Sequence, residues 1–280
     1  MGVIIGIDVG GSTTKIVGFS DSSSMRDKTI MTPLVVRAAD PLTSLYGAFG
    51  KFTSESSLEL SDIECVMMTG VGSAFNSKPI YSLPSRHASE FDSIGYGGLY
   101  LSGLDRAVVV SLGTGTALVY AERGKTPEYL GGTGIGGGTL IGLSKKLVGS
   151  DEIEEIEQLA ESGNLENIDL YVGDMTEKNV YDCMSDKLTA ANFGNISGLA
   201  TSSDMALGLF NMVFETVGVV SRFAARSFDT KDIVVTGNLT TTPLAEKTFA
   251  ALSRFFNVNF IIPNNSQFAT VIGAALSYHK

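Results

Sequence analysis

Five short stretches combine residue types that do chemistry on charged ligands. The first is Asp8-Val9-Gly10-Gly11-Ser12-Thr13-Thr14-Lys15. The apolar run over residues 3–7 delivers Asp8 to the end of an expected strand. Two glycines and a hydroxyl pair follow and expose backbone N–H groups. Such groups in a tight turn form a concave anion site, and a carboxylate beside it can hold Mg2+ directly or through water. The second is Gly113-Thr114-Gly115-Thr116, again a glycine turn between two apolar runs. Two such hairpins facing each other would clamp a polyphosphate from both sides. GxxxxGK[ST] is absent, and a strand rather than a helix is expected after Gly11, so neither a Walker loop nor a dinucleotide fingerprint is present.

The third stretch covers residues 131–139, where six of nine residues are glycine just before an expected helix. A structural loop needs one or two glycines for unusual φ. Six point to close backbone approach by something large, at a helix N-terminus suited to anions; a flexible hinge is the other way to use them. The fourth, Val234-Val235-Thr236-Gly237-Asn238-Leu239-Thr240, ends a buried strand at the kind of edge where α/β ligands sit. The fifth is Glu90, at an expected helix start. A carboxylate there can accept a proton from a substrate hydroxyl within hydrogen-bond reach, with Arg86 and His87 near enough in sequence to tune it. A solvated first helical turn also favours an acid.

The elements that must position these residues fall into two units. Strands are expected over residues 3–8, 13–19, 29–36 and 62–69, with a helix over 41–52 and a polar hairpin tip over 20–27. A second unit opens at Ser89-Glu90-Phe91-Asp92, which reads as a capping box. It continues with strands over 106–112 and 116–121, a tip over 123–126, and helices over 139–148, 151–162 and 204–228. A strand over 232–237, a helix over 243–255, a strand over 257–262 and a helix over 267–278 complete it. Both units share one plan of strand, glycine turn, strand and tip. The expected division is 1–88 and 89–280.

Bulk composition sets limits. With 20 basic and 30 acidic residues among 280, the net charge is −10, which disfavours a nucleic-acid binder. No run of 18 apolar residues occurs, so no membrane span is expected. Cys65 and Cys183 stand far apart, without metal-ligand spacing, and Cys65 is expected in the core. The first residues read as a strand rather than a secretion leader, and a cytoplasmic protein is expected.

In this order the loops resemble those of the actin-like ATPase superfamily, within which type II pantothenate kinase is the nearest match. The resemblance is carried by Asp8-Val9-Gly10-Gly11-Ser12, Glu90-Phe91-Asp92, Gly113-Thr114-Gly115-Thr116, the glycine run with Gly142-Leu143 after it, Leu188-Thr189-Ala190-Ala191-Asn192-Phe193-Gly194, and Val235-Thr236-Gly237-Asn238. It implies a two-lobed α/β fold, ribonuclease H-like in each half, with a nucleotide cleft between lobes. It implies ATP and Mg2+, with Asp8 on the metal and Gly10, Gly11, Ser12, Thr13 and Lys15 lining the first phosphate loop. Gly113, Thr114 and Gly115 would line the second, Thr114 touching substrate or γ-phosphate. Gly136, Gly137, Gly138 and Thr139 would meet the nucleotide, and Gly237 and Asn238 the adenosine. Glu90 would be the general base toward the primary hydroxyl of pantothenate, in a homodimeric enzyme making 4′-phosphopantothenate for coenzyme A.

One departure is visible. The family places an arginine just before the glycine run, where this chain reads Tyr129-Leu130-Gly131-Gly132; Arg123 or Lys125 could replace it, or the acceptor could differ. A kinase acting on another hydroxyl compound such as an amino sugar, and a nucleotide-binding regulator without transfer, are the alternatives.

Overall fold

β-branched apolar runs become the inner strands of two five-stranded sheets in a computed structural model that describes residues 2–11, 13–20, 30–37, 40–70, 72, 79–175 and 188–279. The first sheet holds β1 (Val3–Val9), β2 (Thr14–Ser20), β3 (Leu34–Val36), β4 (Ile63–Thr69) and β5 (Ser85–His87) in the order β3-β2-β1-β4-β5. Helix α1 (Pro41–Glu55) lies against it. Asp40 starts this helix by accepting from the Thr43 N–H at 2.6 Å, and Pro41 occupies a first-turn position where its missing N–H costs nothing. Helix α2 (Glu90–Ser102) then leads to β6 (Arg106–Leu112), β7 (Thr116–Glu122) and β8 (Glu128–Thr133).

The rest of the chain supplies α3 (Gly137–Leu147), α4 (Ile153–Ala160), the short β9 (Leu170–Tyr171) and β10 (Thr189–Ala191), α5 (Ser202–Ser227), β11 (Asp232–Thr236), α6 (Pro243–Phe256), β12 (Asn259–Ile261) and α7 (Ala269–Leu276). The second sheet runs β12-β11-β6-β7-β8. The shared plan is therefore a shared topology. β1 pairs antiparallel with β2 and parallel with β4, and β6 pairs antiparallel with β7 and parallel with β11.

Several expected boundaries shift. Gly131, Gly132 and Thr133 belong to β8 rather than to a loop, paired with Leu118, Ala117 and Thr116 of β7. The third strand shortens to Leu34–Val36, and the tip expected at 20–27 lies, apart from Ser20, outside the described residues. Ser89 caps α2 by accepting from the Asp92 N–H at 3.3 Å, one half of the expected box; the reciprocal bond to the Asp92 carboxylate is not formed. By length and composition α5 is apolar enough to cross a bilayer, which run length had excluded, but half of its most apolar window is buried. Phe210, Phe214 and Phe249 pack there in sequence, with ring centroids 5.7 and 5.5 Å apart. Cys65 is in the core, as expected.

Helix α7, last in the chain, packs on the first sheet: Val271, Ile272 and Ala275 share a core with Ile4, Val17 and Met67. A division at residue 88 thus leaves the first sheet covered by the chain's last helix. Glycines allow this layering. A Cβ on Gly6 of β1 would strike the Val271 carbonyl, one on Gly97 of α2 the Ala269 carbonyl, one on Gly273 of α7 the Ser93 carbonyl, and one on Gly98 the Val109 side chain of β6. The first sheet, α7 and α2 therefore stack with backbones nearly touching, Val109 of the second sheet packs into the space over Gly98, and α2 carries Glu90 at its start.

This packing separates two Gly→Ala substitutions. Gly97→Ala is expected to cost about 1–3 kcal/mol of unfolding free energy through overpacking. Gly47→Ala, on α1 with nothing within 4 Å of its Cβ position, is expected to add up to about 1 kcal/mol through helix propensity. Urea unfolding of the two variants checks both signs.

Candidate active site

The hairpin between β1 and β2 and the hairpin between β6 and β7 face one another. A Cβ placed on Gly11 would lie 3.8 Å from the Thr114 hydroxyl oxygen. Between them lies a cavity of about 380 Å3. Asp8, Gly10, Gly11, Thr13 and Lys15 line it from the first hairpin, and Gly113, Thr114 and Gly115 from the second. Glu90 enters from the start of α2, and Gly237 and Asn238 from the end of β11. Ser12 lies outside the described residues.

Each lining residue has a local reason for its place. Asp8 sits opposite Lys15 across the β1–β2 pair, one step before the turn. The turn is closed by Gly10 N–H donating to the Thr13 carbonyl at 3.0 Å, and the second by Gly113 N–H donating to the Gly115 carbonyl at 2.9 Å. Those two N–H groups serve the turns; Gly11, Thr13, Thr114 and Gly115 are, among the described residues, the other loop positions that line the cavity. Gly237 must be glycine: its φ is +104° and a Cβ would strike the Leu112 carbonyl. Its N–H donates to the Ser266 carbonyl at 3.1 Å, tying the end of β11 to the segment before α7.

The glycine run packs against the second hairpin. Gly137 N–H donates to the Gly113 carbonyl and Gly138 N–H to the Thr114 carbonyl, both at 2.8 Å. Gly136 N–H donates to the Thr139 hydroxyl at 3.3 Å, and that hydroxyl donates to the Gly134 carbonyl at 2.8 Å. A Cβ on Gly136 would lie 2.8 Å from the Gly115 backbone. The large body approaching these glycines is the second hairpin itself. The first turn of α3 spends its donors holding that hairpin up, and Gly136, Gly137, Gly138 and Thr139 are not among the residues lining the cavity.

Other lining residues went unmarked in the sequence. Gly70, with φ +85°, ends β4 where any Cβ would overlap the Asp8 carboxylate, so it clears space for that group. The glycine pair at 70 and 72 was a readable signal for it. Thr133 and Thr270 also line the cavity; no local pattern distinguishes Thr270. Arg123 pairs with Asp105, Lys125 with Glu122 at 2.9 Å, and Arg86 lies 5.1 Å from the centre of the Tyr278 ring. None of these cations lines the cavity. The Leu188–Gly194 motif lies elsewhere: Asp169 accepts from Phe193 N–H and from Asn211, both at 2.9 Å, and Glu215 accepts from Asn192 at 3.0 Å, binding the motif to α5.

Electrostatics distinguish the acids in the cavity. Burial pushes the Asp8 carboxyl above the ordinary aspartate range against the pull of Lys15, and burial lowers the Lys15 amine against the pull of Asp8. Glu90 is held above the ordinary glutamate range by burial first and by the like charge of Asp8 second. Among the described residues no cluster of three or more His, Cys, Asp or Glu side chains could cage a metal. A single carboxylate at the mouth of a phosphate loop suits a hard cation that takes most of its ligands from phosphate and water.

Two measurements follow. In carbon-detected NMR of the nucleotide-free protein, Glu90 is expected to titrate above an ordinary glutamate. Asp8→Asn removes the like charge and is expected to bring it down. An unshifted or lowered Glu90 would mean that the positive end of α2 dominates. Gly136→Ala displaces the second hairpin and is expected to weaken ATP binding on the order of tenfold by calorimetry, a loss typical of one misplaced set of phosphate contacts.

Comparison with known proteins places this geometry. The Fumble family model matches residues 106–276. The type II pantothenate kinase of Oceanobacillus iheyensis is 31% identical over 98% of both chains, and that of Staphylococcus epidermidis strain RP62A is 28% identical over 84% of both. Among solved structures, the activator of the 2-hydroxyisocaproyl-CoA dehydratase from Clostridium difficile with bound ADPNP is 15% identical. It superposes with a TM-score of 0.65 over 98% of this chain and 93% of that one. The ROK hexokinase from Thermus thermophilus is 12% identical, with a TM-score of 0.55 over 98% of both chains. At these identities the structural likeness shows the fold, that of the actin-like ATPases and sugar kinases.

Proposed function

The chain belongs to the type II pantothenate kinase family, and from that premise we propose that it phosphorylates the primary hydroxyl of pantothenate with Glu90 as general base. The product is 4′-phosphopantothenate, on the route to coenzyme A, and ATP is the donor. The observation that carries the residue assignment is that two glycine hairpins, Asp8 and Glu90 line one cavity.

Transfer of a γ-phosphoryl group asks mainly for positioning and for relief of charge. The N–H groups of Gly11, Thr114 and Gly115 would donate to phosphate oxygens. Lys15 adds a positive charge beside Asp8, whose carboxylate would hold Mg2+. When bound, that ion neutralises part of the triphosphate charge. Gly237 and Asn238 receive the adenosine side. Glu90 accepts the hydroxyl proton as the substrate oxygen bonds to the γ-phosphorus and the bond to the ADP oxygen breaks. Its raised pKa brings it closer to the hydroxyl it must deprotonate, because a base works best with a pKa near the operating pH. Glycines 136–138 act one layer behind, by fixing the second hairpin.

The chain functions in the cytoplasm as a homodimer in this reading. Val220 and Phe223 on α5 and Phe255 on α6 are exposed apolar side chains that support a subunit contact.

The test is incubation with ATP, Mg2+ and pantothenate, with the product identified by mass. A gain of one phosphate on pantothenate is expected. Glu90→Gln is expected to lower kcat by about a thousandfold, in the range of a lost general base, with the ATP KM nearly unchanged. Phosphorylation of an amino sugar without pantothenate turnover would overturn the reading. So would nucleotide binding without transfer.

A further inference from the structure

Phe91 follows Glu90 in the first turn of α2, and its ring stacks on Tyr129 of β8 with centroids 3.8 Å and planes 18° apart. Both side chains stay open to solvent, at 36% and 48% exposure. An aromatic pair that stacks offset and still shows its outer surface is an apolar platform without a cover.

Its position is set by a bulge. In the β7–β8 pair, Leu118 faces Gly131 while Val119 faces Tyr129, so Leu130 is extra. Gly131 takes φ +123° to make the turn. Bulges beside active sites re-aim side chains. Here the Tyr129 hydroxyl comes to 3.3 Å from the position a Cβ would occupy on Gly132. Gly132 pairs with Ala117, and Ala117, Thr133 and Glu90 all line the cavity. Phe91 and Tyr129 do not themselves line the cavity; they flank it, Phe91 as the neighbour of Glu90 and Tyr129 over Gly132, whose strand neighbour Thr133 and cross-strand partner Ala117 line it.

We propose that the Phe91–Tyr129 stack is the acceptor platform, against which the two methyl groups of pantothenate lie; this rests on the pantothenate kinase reading. The chemistry of the acceptor favours that contact. In pantothenate the reacting hydroxymethyl group is bonded directly to a quaternary carbon bearing two methyls. With that hydroxyl within reach of Glu90, the methyls sit one carbon further out, and the exposed Phe91–Tyr129 stack is the apolar surface flanking Glu90 that can receive them. Burying them there removes apolar surface from water on both sides. Tyr129 acts by binding the acceptor, through its ring rather than its hydroxyl, and takes no part in proton or phosphoryl transfer.

The experiment compares steady-state kinetics with pantothenate and with its analogue lacking both methyls, in the unmodified enzyme and in Tyr129→Ala, Tyr129→Phe and Phe91→Ala. The unmodified enzyme is expected to prefer pantothenate on the order of tenfold or more in kcat/KM, the scale of one or two methyls in an apolar site. Tyr129→Ala and Phe91→Ala are expected to raise the pantothenate KM about tenfold, with kcat and the ATP KM within about twofold, and to shrink the methyl preference toward unity. Tyr129→Phe is expected to keep both the KM and the preference. If Tyr129→Ala leaves the methyl preference intact, whether or not it lowers overall activity, the platform is overturned while the kinase reading stands. If the unmodified protein does not phosphorylate pantothenate, both fall.

Discussion

The backbone contact between α2 and α7 holds the two halves of the site in register. Gly97 lies against the Ala269 carbonyl and Gly273 against the Ser93 carbonyl, while Gly6 admits α7 to the first sheet and Gly98 admits α2 to the second. Glycine inside a helix costs about 1 kcal/mol relative to alanine. The chain accepts that cost because any side chain there would push the layers apart. That packing sets the positions of two cavity-lining acids: β1, which carries Asp8, and α2, which starts at Glu90, both pack on α7.

A second layer of glycine packing supports the chemistry from behind. The first turn of α3 has N–H groups with no partner inside its own helix. At a helix pointing into a cavity these would attract an anion. Here Gly137 and Gly138 give them to the carbonyls of Gly113 and Thr114. The hairpin is then held from behind, while Gly113, Thr114 and Gly115 line the cavity in front. The positive end of α3 is thus directed at the second hairpin, whose position it fixes.

Charge follows the same geometry. Asp8 and Lys15 are neighbours across two strands, and each is pulled toward its neutral form by burial and toward its charged form by the other. In the proposed reading a metal–nucleotide, with its own charges, would restore to both groups the electrostatic partners that water supplied before folding. Glu90 lies where the field of Asp8 reaches it and weakens its acidity. The same carboxylate that would hold the cation thus also tunes the proposed base.

Much of this was legible along the chain. Alternation of β-branched runs with glycine turns marked β1, β2, β6 and β7, since those residues prefer pleated, buried backbone and glycine alone tolerates the turns. Ser89 marked the start of α2. β8 was not legible: Glu128, Gly131 and Gly132 have poor strand preference, and this edge strand exists only because β7 offers it a ladder of hydrogen bonds. The density of glycine at 131–138 was correctly a sign of close approach, but the identity of the approaching body was not written there. Local sequence determined which backbone conformations were possible at each turn and where the acid and the phosphate loops would fall. The tertiary structure decided what fills the space above each glycine, and that is settled by atoms distant in sequence that meet only when the layers pack.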